Sequence, residues 1–421
     1  MLLPTLVNRR FGIVRRVEPR PLPRSVWKGL RAFLAWAADT GALTEPIGNP
    51  LGSGCVWWDA AAAQAAAIGE ALERYAATLL VPQVIGPSYR DLVLRGLPAL
   101  DPTTLALYAP FQYHQPGFPF VPFTTDTPAA WVWGQDAHAG QPVLVPWSLV
   151  TLRQDPVGLP RTNFPIAAGL ATATSWEAAA QAALAEVIER DAFARAWARG
   201  QGFLPLEVPS AWTPEGPQGV LTTRLLAVPN AFGLPIVLAL VTDREQGLLG
   251  VGLACRSNAV LAARKALAEA AMLLATSAEL ADPANPVRAA LVERNVLKPY
   301  RADRRYQESY APDWHDAIDL VCHVQLTLDP TYQAAIEHHL HSSQPPLPLS
   351  ALPAGGPDYG ALLAQHGFRP LLVDLTPADV RLAGGVVVRA VVPGLVTTAP
   401  AAFPMLGHDH HPDAGLPPPL A

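Results

Sequence analysis

The chain has 421 residues, 50% of them hydrophobic, and a formal net charge of −5. That length and composition allow a large buried core, in one large domain or two or three smaller ones, while the charge supplies no overall basic field for nucleic acid or an anionic membrane. Only Cys55, Cys255 and Cys322 occur, with no CxxC pair, which excludes a disulfide framework and points to a reducing cytoplasm.

The N-terminal stretch departs from this weak charge. Arg9, Arg10, Arg15, Arg16, Arg20, Arg24, Lys28 and Arg31 stand against a single acid, Glu18, a pattern that suits a solvated face as well as a phosphate or acidic partner. The first residues lack an apolar run of signal-peptide length. The most apolar stretch, 225–241, is broken by Pro229, Asn230 and Pro235, so neither export nor a membrane span is expected.

Three alanine-rich helices follow in chain order. The first begins after Asp59, a good N-cap, and runs through AAAAQAAAIGEALERYAATLL. The second opens on Thr174-x-x-Glu177, a capping-box pattern, and stops near Gly200. The third follows Ser257-Asn258 through AVLAARKALAEAAMLLA. Between and after them lie β-branched, turn-bounded segments: AAWVWGQ, PVLVPWSLV, VLTTRLLAV, PIVLALVTD, GLLGVGLAC, PLLVDLT and GVVVRAVVPG. This alternation predicts an α/β class of mixed α+β type, with Ala-rich helices packed on mixed β-sheets. Pro- and Gly-rich stretches at 202–219, 341–356 and 400–421 read as loops or tail.

Comparing the helices exposes a repeat. Glu70-x-x-Glu73-Arg74 and Glu186-x-x-Glu189-Arg190 match, and the third helix offers only Glu269. Residues three apart share a helix face, so each helix presents a carboxylate pair. Their neighbours are apolar, and buried carboxylates need a compensating positive charge. Arg74 and Arg190 supply part of it, and hard oxygen ligands from two helices also suit Mg²⁺, which keeps several waters and binds nucleotide phosphates. One such motif is common on solvated, ion-paired helix faces. Two matching copies far apart in the chain favour a site. His408-Asp409-His410-His411 could also bind a metal, but in a Pro- and Gly-rich context it reads as a polar tail. No Walker or GxGxxG motif accompanies a suitable strand–helix unit.

These motifs resemble the YcaO family. GEALERYAA is similar to the family's first helix, AGLATATSWEAAAQAALAEVIERDAF to its second and GLACRSNAVLAARKALAEAA to its third. LVNRRFGIVRRV and VDLTPADVRLAGGVVVRAVVPGL extend the resemblance over nearly the whole chain. It implies a YcaO-type architecture with a basic N-terminal segment (1–48), a core domain (49–398) and a Pro-rich C-terminal tail (399–421). It also implies an ATP- and Mg²⁺-dependent cyclodehydratase that forms thiazolines or oxazolines in a ribosomally made peptide. In such enzymes a Cys, Ser or Thr side chain adds to a backbone carbonyl whose oxygen is then phosphorylated and lost.

By the same resemblance Glu70, Glu73, Glu186 and Glu189 are Mg²⁺ ligands, Arg190 contacts the nucleotide phosphates, and Arg74 is a phosphate or carboxylate partner. A precursor peptide and a separate leader-peptide-binding protein are the implied partners, with neither nucleic acid nor membrane, and a homodimer stays open. Ala167, Ala168, Ala173 and Ala178 replace polar or glycine positions of the family pattern, and Met272 stands where an amide is expected. They keep a second reading in play, a degenerate YcaO subunit that binds peptide or an active partner without ATP turnover. Thioamide formation is a third outcome. A carboxylate-bridged di-iron site calls for Glu-x-x-His, which neither helix supplies.

Overall fold

Asp59, Ser175 and Asn258 each begin a long helix by accepting a backbone N–H with the side chain. The computed structural model describes residues 3–23, 27–41, 43, 50–153, 158–200, 202–212, 220–356, 358–407 and 415–420. It begins with strands β1 (Val14–Pro19), β2 (Leu30–Ala37) and β3 (Leu51–Trp57), followed by helix α1 (Ala60–Leu79). Next come β4 (Val84–Ile85), α2 (Tyr89–Leu94), β5 (Ala130–Asp136), β6 (Pro142–Pro146), β7 (Leu170–Ala173) and α3 (Trp176–Arg199). Strands β8 (Leu204–Leu206), β9 (Leu221–Ala227), β10 (Ile236–Asp243) and β11 (Leu248–Cys255) lead into α4 (Ala259–Ala281). Helices α5 (Pro286–Glu293), α6 (Leu320–Leu326), α7 (Pro330–His339) and α8 (Tyr359–Gln365) precede β12 (Leu371–Asp374), α9 (Ala378–Leu382) and β13 (Val386–Val391).

The strands form three sheets, ordered β1-β2-β3, β11-β10-β9-β8 and β4-β5-β12-β13-β7, with β6 on β5. Pairing between these strands is antiparallel throughout. The mixed α+β class expected from the sequence is the observed one. The second helix starts a residue later than its capping pattern predicts, because Ser175 and not Thr174 places a hydroxyl where the Ala178 N–H can reach it. It ends as expected, at Gly200 in the left-handed region (φ 60°). No helix among the described residues is long and apolar enough to cross a membrane.

Each long helix bridges two sheets: α1 packs on β3 and β7, α3 on β7 and β11, and α4 on β11 and β3. The contacts are close because both surfaces are small. A Cβ on Gly52 or Gly54 would lie 2.3 Å or 2.1 Å from the carbonyl oxygen of Ala67 or Ala63 in α1, and one on Gly250 or Gly252 would lie 2.1 Å from that of Ala270 or Ala266 in α4. Alanines fill the facing helix positions, with Ala63, Ala67, Ala71, Ala262, Ala263 and Ala266 fully buried. Larger residues fill the flanks, Leu184, Ile188 and Phe193 of α3 in one core and Leu72, Val132, Val145 and Val387 in another.

The residues after β13 fold back over α3. Val396 N–H donates to Asp191, and Arg195 donates to the Gly394 carbonyl. Three side chains then hold the end of the chain: Trp197 Nε1 donates to Leu416 O (2.7 Å), Tyr332 Oη to Pro417 O (2.5 Å), and His323 Nδ1 meets Leu420 O at 3.1 Å. His323 Nε2 accepts the Ala401 N–H, so the ring proton sits on Nδ1. Burial holds this imidazole neutral by lowering its pKa to about 4.

Gly54→Ala should cost about 3 kcal/mol or more in urea unfolding, since its Cβ meets helix backbone that cannot yield. Gly69→Ala, in the middle of α1 with its nearest neighbour 3.6 Å away, should instead stabilise by about 0.5–1 kcal/mol.

Candidate active site

The two helix pairs foreseen in the sequence come together. Glu70 and Glu73 lie in the middle of α1, and Glu186 and Glu189 lie in the middle of α3, equally far from the N-caps Asp59 and Ser175. The carboxylates are held alike, each by a backbone N–H from a neighbouring strand or its approach. Glu70 Oε2 accepts Ser53 N–H (2.8 Å) and Ser53 Oγ (2.9 Å), and Glu186 Oε2 accepts Gly169 N–H (3.0 Å), both pairs being 17 residues apart in sequence. The second glutamate of each pair reaches onward to the next sheet: Glu73 Oε1 accepts Thr172 N–H on β7 (2.7 Å), and Glu189 Oε2 accepts Cys255 N–H on β11 (2.7 Å). Glu70 and Glu186 keep 31% of their side-chain surface exposed and Glu189 6%, so the cluster is sunk into the protein with one side open.

The arginines divide the compensation unequally. Arg74 Nη2 lies 2.7 Å from Glu70 Oε1, a direct hydrogen-bonded pair. Arg190 stands farther off, 3.8 Å from Glu186 and 3.7 Å from Glu189. The Nε atoms of both arginines are buried without a hydrogen-bond partner. Lys265 pairs with Glu269 at 3.1 Å on α4, and the charge of Glu269 is felt at Glu186, Glu189 and Arg190.

These inequalities set the protonation. Burial would raise the Glu70 carboxyl, but Arg74 and the two Ser53 donors outweigh it and hold it below its ordinary value. Burial, then the like charges of Glu70 and Glu186, push Glu73 well up. Burial raises Glu186, against the pull of Arg190, and raises Glu189 to about 8. The cluster therefore holds more carboxyl groups than its own cations can keep ionised. Among the described residues no three acidic, histidine or cysteine side chains converge into a metal cage. Mg²⁺ does not require one, because one or two carboxylates, waters and substrate phosphates complete its shell. The residues fit such a cation together with a phosphate chain: the oxygen donors are hard, the carboxyl groups outnumber the cations that keep them ionised, and two guanidinium Nε–H groups lack an acceptor.

Sequence reasoning located the four glutamates and both arginines but missed their anchors, since a backbone N–H leaves no mark in the residue pattern. It also missed Arg389, a guanidinium within the apolar strand β13, whose charge reaches Glu186; a lone cation in GVVVRAVVPG was the available signal. The His408-Asp409-His410-His411 run and Arg24 lie outside the described residues. Arg20 turns inward to Thr276 and Glu279 of α4. All three cysteines are buried and free, and burial pushes Cys55 and Cys255 up to about 12, so they stay thiols.

Glu70→Gln and Glu73→Gln should move stability in opposite directions at pH 8. The first loses its charge-assisted pairing and should cost about 1.5–3 kcal/mol. The second relieves repulsion while keeping an oxygen for Thr172 N–H, and should gain about 1 kcal/mol. Glu189 adds a pH signature. The folded protein keeps a proton that the unfolded chain releases above 4.5, so this contribution is complete below 4.5 and is lost as pH rises to about 8. Urea titrations of the three proteins across that range measure both effects.

The family model for YcaO cyclodehydratases, described as ATP- and Mg²⁺-binding, matches residues 58–396. A comparison with curated proteins gives no match. Among solved structures, a heterocyclase in complex with substrate and cofactor aligns with a TM-score of 0.66 at 16% identity, covering 94% of this chain and 51% of that one. The YcaO protein from Methanopyrus kandleri, bound with AMPPCP and Mg²⁺, aligns at 0.56 and 17% identity over 91% and 86% of the two chains. The Escherichia coli microcin synthetase McbBCD complex aligns at 0.57 and 12% over 90% and 87%. At these identities the likeness is one of fold, and the chain spans about half the length of the first heterocyclase.

Proposed function

This chain belongs to the YcaO family, and on that premise we propose that it is an ATP- and Mg²⁺-dependent peptide cyclodehydratase that closes Cys, Ser or Thr residues of a ribosomally made precursor into azolines. The observation that carries the reading is the convergence of four carboxyl groups, Glu70, Glu73, Glu186 and Glu189, on too few cations to keep them all ionised, each aimed by a backbone N–H of a strand or its approach. These glutamates would hold Mg²⁺, and Arg190 with Arg74 would meet the phosphates. ATP supplies the phosphoryl group that makes an amide oxygen a leaving group, and Mg²⁺ offsets the charge on the phosphates.

The protein's own part is orientation and charge. Backbone anchors fix one oxygen of each carboxylate, which spares the entropy of ordering a long side chain when the cation arrives. Arg74 keeps Glu70 ionised. Glu73, Glu186 and Glu189 retain protons more readily and must give them up to a cation. The alanines at 167, 168 and 178 leave all four of these anchors in place, which argues against a subunit that has lost turnover. This chemistry requires a precursor peptide, and a separate leader-binding protein would deliver it.

Phosphate release by the purified protein with its precursor peptide and leader-binding protein tests the reading. Glu189→Gln should lower it about 100-fold or more. Calorimetry of Mg²⁺-ATP binding in buffers of different ionisation enthalpy should detect proton release at pH 7 that fades by pH 9. A loss of water in the modified peptide's mass identifies azoline formation, and exchange of oxygen for sulfur would identify a thioamide. Absence of phosphate release with every partner combination would sink the enzyme reading in favour of a non-catalytic subunit.

A further inference from the structure

Beside the carboxylate cluster lies a cavity of about 90 Å³ that the chemistry above does not use. Its walls are mainly apolar, formed by Leu107, Phe164, Ile166, Val187, Val391 and Met405. One cation faces it, Arg389, only 7% exposed. Arg389 Nε donates to the Leu149 carbonyl (3.1 Å), but its Nη1 is buried with no hydrogen-bond partner, and the Thr397 hydroxyl in the same wall is also unpaired. A buried guanidinium with an unmet donor is costly, and its charge in the cavity wall favours an oxygen acceptor within the cavity. Burial lowers the Arg389 pKa only to about 10, so the group remains a cation at neutral pH.

The cavity shares backbone with the carboxylate site. Gly169 N–H holds Glu186, Gly169 O accepts the Ala390 N–H, and both Ala168 and Ala390 line the cavity. Val187 lines it from the residue next to Glu186. Size narrows the occupant, because an apolar cavity of about 150 Å³ is what admits benzene. A space of about 90 Å³, open on one side, seats a short side chain and is too small to enclose an aromatic ring.

Resting on the proposed peptide substrate, we infer that this cavity is a specificity pocket for a short side chain of that peptide, of the Cys, Thr or Val class, with Arg389 donating to the adjoining backbone carbonyl oxygen. Apolar walls favour such side chains over Ser, Asn or charged residues, and the guanidinium fixes the main chain beside the carboxylates.

The full chain tests this with two probes, N-acetyl-Gly-Val-Gly-amide and N-acetyl-Gly-Trp-Gly-amide, followed by ligand-observed NMR. The valine peptide should bind and the tryptophan peptide should not compete with it. Arg389→Gln should weaken the valine peptide at least fivefold. Met405→Trp, which fills the cavity from its half-buried rim, should do the same and carries the test if the Arg389 variant does not fold. Equal binding of both peptides, binding unchanged in a folded variant, or no binding of either peptide overturns the inference. Mg²⁺-ATP binding measured on the same samples judges the carboxylate reading separately: its loss in the unmodified protein would overturn that reading, while the peptide results alone decide the pocket.

Discussion

Direct backbone contact between helix and strand is the constraint from which the rest of this structure follows. Where α1 crosses β3, and where α4 crosses β11, neither side has room for a Cβ at Gly52, Gly54, Gly250 or Gly252. Alanine on the helix and glycine on the strand bring the two main chains closer than leucine-lined surfaces would permit. Such an approach sacrifices buried apolar area at the contact, and the larger side chains on the flanks of α1 and α3 make up for it in two separate cores.

Closeness also decides what the glutamates can do. On α1, held this near β3, Glu70 reaches the Ser53 N–H, and the second glutamate of each pair reaches the following sheet. Each helix is thereby tied to two sheets by its own carboxylates. The same bonds make the site electrostatically uneven, because Arg74 answers Glu70 at 2.7 Å while Arg190 stays more than 3.5 Å from its two partners. Stability withheld in this way is characteristic of sites that bind charge.

Much of this was legible in the sequence, and for physical reasons. Caps at Asp59 and Asn258, the glycine at 200 and long alanine runs mark the three helices locally, and i, i+3 spacing places each glutamate pair on one face. Strands β5, β6 and β9 to β13 announce themselves through β-branched residues. By contrast β3, LGSGCVW, gives no strand signal because its glycines serve the helix above it, and β2, LRAFLAWA, carries helix-favouring alanine and leucine in a strand fixed by its neighbours. Nor could the sequence disclose the anchors of the carboxylates, because the donor at Ser53, Gly169, Thr172 or Cys255 is the peptide unit itself.

That last feature has an evolutionary consequence. A ligand aimed by a side chain is lost when the side chain mutates, whereas one aimed by the main chain survives any replacement that preserves the strand. Positions 172 and 255 can therefore drift in identity while Glu73 and Glu189 keep their direction, and Ser53 needs only its N–H to keep one of its two bonds to Glu70; position 169 is held to glycine by its φ of 88° and by the Ala390 carbonyl oxygen 2.9 Å from where a Cβ would sit. A site built this way tolerates deep sequence divergence around it, which accords with a fold shared at 12–17% identity.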